Sequence, residues 1–442
     1  MYAIGIDIGT TSICGVVINT KTGKVEKSCT RPGDAFLPAK NPWEKIQDAE
    51  KLIRTAREIL DTFLAEYEVC VIGLTGQMHG IVYTDPNGQA VSPLYIWQDG
   101  RGNLPYKDTT YAAYLGSHTG YGNVTDFYNR QNGLRPAEAV SYCTIMDYLG
   151  MVLCGLTKPV LHATNAASFG CFDLQTLCFT YDCDAAVTDS FAIIGTYRGI
   201  PVSAAIGDNQ ASVFSTLTNE KDLLINVGTG SQVSMITDSI RTGEDIETRP
   251  YFDGKYLTVG AALCGGRAYG LLKDFFSAFL QAADLPETDI YAVLGKMISE
   301  TATVSADQAA GKQKSPAPAS ALLTDTRFAG TRSNPAITGS ITGITAENFT
   351  PGNLACSIMQ GMMTELHDMY AQMNQPHQNL VGSGNGIRLN PILVRIAENT
   401  FGGSLKIPAH TEEAACGAAL YGLVACGAVE SSGEAQKLVR YL

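Results

Sequence analysis

The chain has 442 residues, of which 45% are hydrophobic and 17% charged, and its formal net charge is −12. That balance describes a globular protein long enough for two or three cores and excludes a disordered or fibrous chain. The acidic charge argues against a sequence-independent grip on nucleic acid or an anionic membrane, so neither is expected as a partner. Phosphate ligands held by backbone amides and Mg²⁺ remain compatible with it.

In chain order, Tyr2 to Asp7 and Gly15 to Asn19 read as strands separated by a Thr/Ser turn. A hairpin-like turn at Thr20-Lys21-Thr22-Gly23-Lys24 leads to a third strand from Val25, an antiparallel start. A helix is expected next, with Asn41 as cap, Pro42 in its first position and Glu44 three after the cap. Ala49, Leu52, Ile53, Ala56, Ile59, Leu60 and Phe63 give it one apolar face. Cys70 to Leu74 reads as a buried strand running into Thr75-Gly76-Gln77-Met78-His79-Gly80.

The second half repeats this order. Leu223 to Val227, Gln232 to Ile236 and Tyr256 to Ala262 read as strands, and Thr350-Pro351 starts a long helix through Leu354, Ile358, Met362 and Leu366. Asn379 to Val381 leads into a glycine turn at Gly382-Ser383-Gly384. Thr411-Glu412-Glu413 caps a final helix, and the apolar stretch Ala414 to Val429 is too short to span a bilayer. A polar link near 215–222 divides the chain into expected domains 1–217 and 218–442. Residues 301–325 read as an exposed loop. The twelve cysteines include no C-x-x-C pair, mostly lie in apolar runs and read as reduced and buried. With no signal-peptide pattern at the N-terminus, a cytoplasmic protein is expected.

One pattern occurs twice. Ile6-Asp7-Ile8-Gly9-Thr10-Thr11-Ser12 returns as Ile225-Asn226-Val227-Gly228-Thr229-Gly230-Ser231, 219 residues later. Each copy is a strand entering a small, hydroxyl-rich turn, the kind that turns backbone amides toward a phosphate. Two such turns facing each other predict a two-lobed nucleotide-binding enzyme.

The motifs together resemble the FGGY carbohydrate kinases. Asp7-Ile8-Gly9-Thr10-Thr11-Ser12, Gly76-Gln77-Met78-His79-Gly80, Trp97-Gln98-Asp99-Gly100-Arg101 and Asn165-Ala166-Ala167-Ser168 run in family order. Gly207-Asp208-Asn209-Gln210, Gly228-Thr229-Gly230-Ser231, Gly265-Gly266, Gly330-Thr331-Arg332 and Gly382-Ser383-Gly384 follow. The Gln-Met-His-Gly, Trp-Gln-Asp-Gly-Arg and Asn-Ala-Ala-Ser runs are similar to the branch that phosphorylates sedoheptulose. The stretch between Gly170 and Gly207 is shorter than usual for the family. The family's Trp and Gln after the C-terminal glycines are absent, and Asn385 to Asn390 stands there instead.

The resemblance implies an α/β protein of two ribonuclease-H-like domains, of the actin/hexokinase ATPase type, with a cleft between them. It implies Mg²⁺/ATP-dependent transfer of the γ-phosphate to a terminal hydroxyl of a ketose, by a monomer or homodimer. Asp208, at a strand end, becomes the general base and a metal ligand with Asp7. Gln77, Met78, His79, Asp99, Arg101 and Asn209 become sugar contacts, with Met78 also readable as packing. Trp97 reads as core or as a platform for a sugar face. Gly9, Thr10, Thr11, Gly228, Thr229, Gly230, Gly330, Gly382, Ser383, Gly384 and Asn385 become nucleotide contacts, and Thr331 and Arg332 line the same side. Xylulose, ribulose or another polyol stands as the alternative substrate. The alternative of another class is an actin-like or chaperone-like ATPase.

Overall fold

The computed structural model describes residues 1–183, 185–298, 322–331, 334 and 336–442. The N-terminal half forms β1 (Tyr2–Ile8), β2 (Ser12–Asn19), β3 (Val25–Pro32), α1 (Ala49–Glu66) and β4 (Val69–Gly76). After several short elements come α2 (Gly122–Gln131), α3 (Ile145–Cys154), β5 (Ile193–Tyr197), β6 (Ile200–Gly207) and α4 (Asp208–Thr216). Its sheet runs β5-β6-β4-β1-β2-β3. β1, β2 and β3 pair antiparallel, while β1, β4 and β6 are parallel.

The C-terminal half forms β7 (Leu223–Val227), β8 (Ser231–Thr237), β9 (Ile246–Pro250), β10 (Tyr256–Ala262), α5 (Gly265–Ala282) and α6 (Pro351–Met373). It continues with β11 (Leu380–Ser383), α7 (Asn385–Arg388), α8 (Pro391–Phe401), β12 (Leu405–Lys406) and α9 (Glu413–Ala425). This sheet runs β9-β10-β8-β7-β11-β12. Without its added edge strand, each sheet has the same five: three antiparallel, then two more parallel to the first. The expected pair of ribonuclease-H-like domains is therefore present, and the sequence duplication is a structural one.

The α1 face is made of the seven residues named from spacing, all buried. Its start is not at Asn41. Asp48 is the cap, its carboxylate accepting from the Lys51 amide at 3.0 Å. The displaced segment is extended instead, because Ile46–Gln47 pairs with Leu94–Tyr95. A cross-strand ladder outcompetes the Asn41 signal. The expected loop is also shortened: Leu323–Asp325 is a strand paired with Ser340–Thr342. Residues 301–321 of it lie outside the described residues, as does Arg332.

None of the twelve cysteines forms a disulfide, but only Cys14, Cys143, Cys264 and Cys416 are buried, and Cys178 is exposed. The expectation of general burial is corrected accordingly. Among the described residues no helix is long and apolar enough to cross a membrane.

Helix α9 joins the halves. Every residue from Ala415 to Leu423 is buried, so the helix is apolar on all sides. It lies against the face of the N-terminal sheet, at distances only glycine permits. A Cβ on Gly5 would sit 1.8 Å from the Ala415 carbonyl oxygen, and one on Gly73 would sit 1.8 Å from that of Ala418. On the other side, a Cβ on Gly417 would sit 1.8 Å from the Ala211 carbonyl oxygen of α4. Backbones thus touch across the lobes, and one core cluster holds residues of both, from Ala3 and Val16 to Val381 and Leu420.

Candidate active site

The parallel register sets the site. Ile8 of β1 and Gly207 of β6 both align with Gly76 of β4. Asp7, Gln77 and Asp208 therefore stand at one carboxyl edge, with the β1 and β6 backbones roughly 10 Å apart by strand spacing. Asp208 is the first residue of α4, whose cap is Gly207, so its carboxylate is not consumed as an N-cap. Because α9 lies over β1 and β4, the residue before it, Glu412, adds a third carboxylate.

The other two act on Asp7. Burial raises the Asp7 pKa to about 7, and the charges of Asp208 and Glu412 add to the rise. Burial raises Asp208 to about 6, opposed first by the Arg249 guanidinium and then by backbone amides of residues 208 and 209. Among the described residues no hydrogen bond reaches the Asp7 carboxylate. Nor does any group of three His, Cys, Asp or Glu there form a ready cage for a metal. One or two under-compensated carboxylates at an open edge suit a hydrated divalent ion that takes its remaining ligands from water and phosphate.

Asn226, the counterpart of Asp7, is occupied differently. Its Nδ2 donates to Ser383 Oγ at 2.6 Å. Glu413 accepts from Ser383 and from the Gly384 backbone, and its carboxyl is raised by burial. Ser383 is fully buried in this network, so its expected nucleotide contact is withdrawn. A Cβ on Gly384 would lie 2.5 Å from the Val227 carbonyl oxygen, and φ there is +79°. A Cβ on Gly382 would lie 2.4 Å from Leu405. These two glycines are set by packing against β7 and β12. Asn385, at the start of α7, is exposed.

The first turn is braced from behind. The Thr10 carbonyl accepts from Gln47 Nε2 at 2.8 Å, and the Thr11 carbonyl from the Gly33 amide at 2.8 Å. With its carbonyls tied back, the turn keeps Gly9, Thr10 and the exposed Thr11 at the sheet edge. A Cβ on Gly9 would sit 2.9 Å from the Ser12 carbonyl oxygen.

The second turn rests on the N-terminus of α5. The Gly266 amide donates to the Gly228 carbonyl at 3.1 Å and the Arg267 amide to the Thr229 carbonyl at 2.9 Å. A Cβ on Gly265 would lie 2.3 Å from Gly230, and one on Gly266 2.2 Å from the Gly228 carbonyl oxygen. The Gly265-Gly266 pair is thus what seats an 18-residue helix, positive end first, beneath the exposed Gly228-Thr229-Gly230. The Gly228 amide itself closes the turn onto the Gly230 carbonyl at 2.9 Å and is not offered to a ligand.

Gly330 is buried in a left-handed turn at φ +71°, its amide on the Arg327 carbonyl. Thr331 lines a cavity of about 380 Å³ where Asp245, Asp325, Glu365 and Asp368 accompany Arg327. No residue of either repeated turn lines it, and so acidic a wall repels a polyphosphate.

Beyond the end of β4, His79 is held at φ +73° with its Nδ1 donating to the Ser168 carbonyl at 2.8 Å. In the neutral ring Nε2 is then the acceptor. The ring stacks on Tyr121 at 4.2 Å. Gln77 is 4% exposed, accepts from Thr10 Oγ1 at 3.2 Å and donates to Gln47 at 2.9 Å, so it supports the Thr10 turn. Met78 is core, packed against Gly207. Trp97 is 46% exposed and donates to Thr10 Oγ1 at 3.0 Å, so it is not core.

Asp99 and Arg101 are corrected outright, being 0% and 2% exposed. They form a bidentate pair at 2.7 and 3.1 Å. Asp99 also accepts from the Lys45 amide, and Arg101 lies over the Tyr95, Trp43 and Tyr128 rings. Every charged atom is spent on structure. Arg101→Lys, which keeps the charge but loses the fork, is expected to cost about 2 kcal/mol in denaturant unfolding and leave the KM for sugar unchanged.

Residues the sequence did not single out complete the cleft. Arg249 of β9 brings its guanidinium to Asp208 and Asn209, and Tyr121 precedes α2. Nothing in their sequence context separates Arg249 from other strand arginines. Glu412 was legible only as part of a helix start.

The chain was compared with known proteins. Residues 2–108 match the N-terminal domain of the FGGY family of carbohydrate kinases, and residues 223–426 match its C-terminal domain. The mouse sedoheptulokinase is 29% identical over 90% of this chain and 92% of its own length, and the human one 27% over the same shares. A xylulose kinase of Rhodospirillum rubrum superposes with a TM-score of 0.82 over 100% of this chain and 93% of its own, at 19% identity. With both family domains matched in order on two lobes of like topology, this chain belongs to the FGGY family of carbohydrate kinases.

Proposed function

We propose that this kinase transfers the γ-phosphate of ATP to a terminal hydroxyl of a ketose, with sedoheptulose the foremost candidate and sedoheptulose 7-phosphate the product. The observation that carries the reading is the meeting of Asp7 and Asp208 at the strand ends beside the Thr10 turn. His79 and Asn209 supply the polyol with an acceptor and a donor, and the exposed turn over α5 receives phosphate. The N-terminal lobe, 1–217, then holds the sugar and the C-terminal lobe, 218–442, holds ATP.

Asp7 and Asp208 would hold Mg²⁺, which neutralises charge on the phosphates when bound. Asp208, with a pKa of about 6, is ionised at neutral pH and takes the proton of the attacking hydroxyl. The hydroxyl oxygen bonds to the γ-phosphorus as ADP leaves. Closure of the lobes over the bound ligands would keep water, the competing nucleophile, from the phosphorus.

Arg249 is neutralised by Glu247 and Asp208, so it offers no net positive charge to a carboxylate substrate. This favours an uncharged ketose over an aldonate. The sedoheptulokinase relatives favour a seven-carbon sugar. A panel of sedoheptulose, xylulose, ribulose, glycerol and gluconate with Mg²⁺-ATP tests the choice. Sedoheptulose is expected to give the highest kcat/KM, by about tenfold or more, consistent with one or two hydrogen bonds to the longer chain. A pentulose turned over in preference removes sedoheptulose and leaves the kinase.

A further inference from the structure

Asn209 is held by the opposite lobe. Arg249 Nη1 donates to Asn209 Oδ1 at 3.4 Å. A guanidinium only donates, so the carboxamide oxygen must face it and the NH₂ must face away. Among the described residues Asn209 Nδ2 has no hydrogen-bond acceptor, and the side chain is half-buried beside Asp208. The arginine is itself fixed: its side chain is 11% exposed, and Glu247, two residues earlier on the same strand face, takes Nε at 3.1 Å and Nη2 at 3.0 Å. The guanidinium also lies near Tyr121, the ring stacked on His79. Glu247 and Arg249 belong to β9, the edge strand that the C-terminal sheet adds to the shared five.

We propose that Arg249 is a sugar-positioning residue lent by the nucleotide lobe, which orients Asn209 so that its Nδ2 donates to a substrate hydroxyl. The proposal rests on the reading that Asp208 and Asn209 face the sugar. It follows that the sugar site is complete only when the lobes stand as they do here, so sugar affinity depends on a residue outside the sugar lobe. Arg249→Lys cannot keep both the Glu247 fork and the Asn209 contact.

The test is steady-state kinetics with the most active ketose of the panel for Arg249→Met, Arg249→Lys, Asn209→Ala and the Asn209→Ala/Arg249→Met double variant. Arg249→Met and Asn209→Ala are each expected to raise the KM for sugar about tenfold or more, the worth of one well-placed hydrogen bond. The KM for ATP should stay within about twofold, with Arg249→Lys in between. The double variant should be no worse than the poorer single one, because both remove the same contact. If Asn209→Ala raises the sugar KM and Arg249→Met does not, the positioning role fails and the sugar reading stands. If neither changes it, the sugar reading itself fails. Equal rises in both KM values, or additive effects in the double variant, also overturn the proposal.

Discussion

Asp208→Asn is expected to lower kcat by about 10²–10⁴-fold, the usual contribution of a positioned general base. The substitution keeps the shape at the head of α4 and still leaves an oxygen to accept backbone amides of residues 208 and 209. It removes the proposed proton acceptor and one of the charges that raise Asp7. Affinity for ATP, measured by calorimetry, should stay within a few-fold, because neither phosphate turn includes residue 208. Unfolding stability should not fall much, since the charge removed is one that burial disfavours. A variant that binds both ligands and turns over within about tenfold of the parent would take Asp208 out of the proton-accepting role.

Gly417→Val is expected to destroy the fold rather than the chemistry. The new Cβ alone would lie 1.8 Å from the Ala211 carbonyl oxygen, a backbone atom that cannot turn aside. Relief requires α9 to move away from α4. That in turn presses Ala415 and Ala418 into Gly5 and Gly73, where the backbones already touch, so the core the lobes share cannot stay packed. A loss on the order of 5 kcal/mol is expected, comparable to the whole stability of many domains. Insoluble expression or a large drop in unfolding midpoint is the predicted result. A midpoint within a few degrees of the parent would show that the lobes are not joined there. Gly422→Ala on the same helix is a control, with its nearest contact, the flexible Val71 methyl, at 3.1 Å.

Much of this architecture was legible because periodicity and turn chemistry agreed. The seven buried positions of α1 and the strands Leu223–Val227 and Tyr256–Ala262 follow directly from spacing. The duplicated turn announced two like lobes. Cap signals were less secure: Asn41 and Pro42 make a good helix start on paper, yet Ile46–Gln47 found a strand partner far along the chain at Leu94–Tyr95. Local signals cannot weigh a partner that only the fold brings near.

The placement of Asp7, His79 and Asp208 at strand ends was legible from the apolar runs that precede them, and their roles rest on the proposal. The site was not legible where identical residue types serve structure. Asp99 and Arg101 have the composition of a sugar contact, but three aromatic rings and each other enclose them. Ser383 sits in a glycine turn suited to a nucleotide, but the Asn226 that breaks the repeat claims its hydroxyl. Arg249 could not be found because its role arises from contact between lobes. The two copies of the turn therefore differ for one physical reason: Asp7 is left without a donor, while Asn226 is the donor.

The central claim is that phosphate passes to a sugar hydroxyl and not to water. Phosphorus NMR of the purified protein with Mg²⁺-ATP tests it directly, with and without the best ketose of the panel. The expected result is a sugar phosphomonoester on the terminal carbon, formed in step with ADP, with little inorganic phosphate in either sample. Inorganic phosphate released at the same rate whether or not sugar is present, with no phosphomonoester, would contradict it.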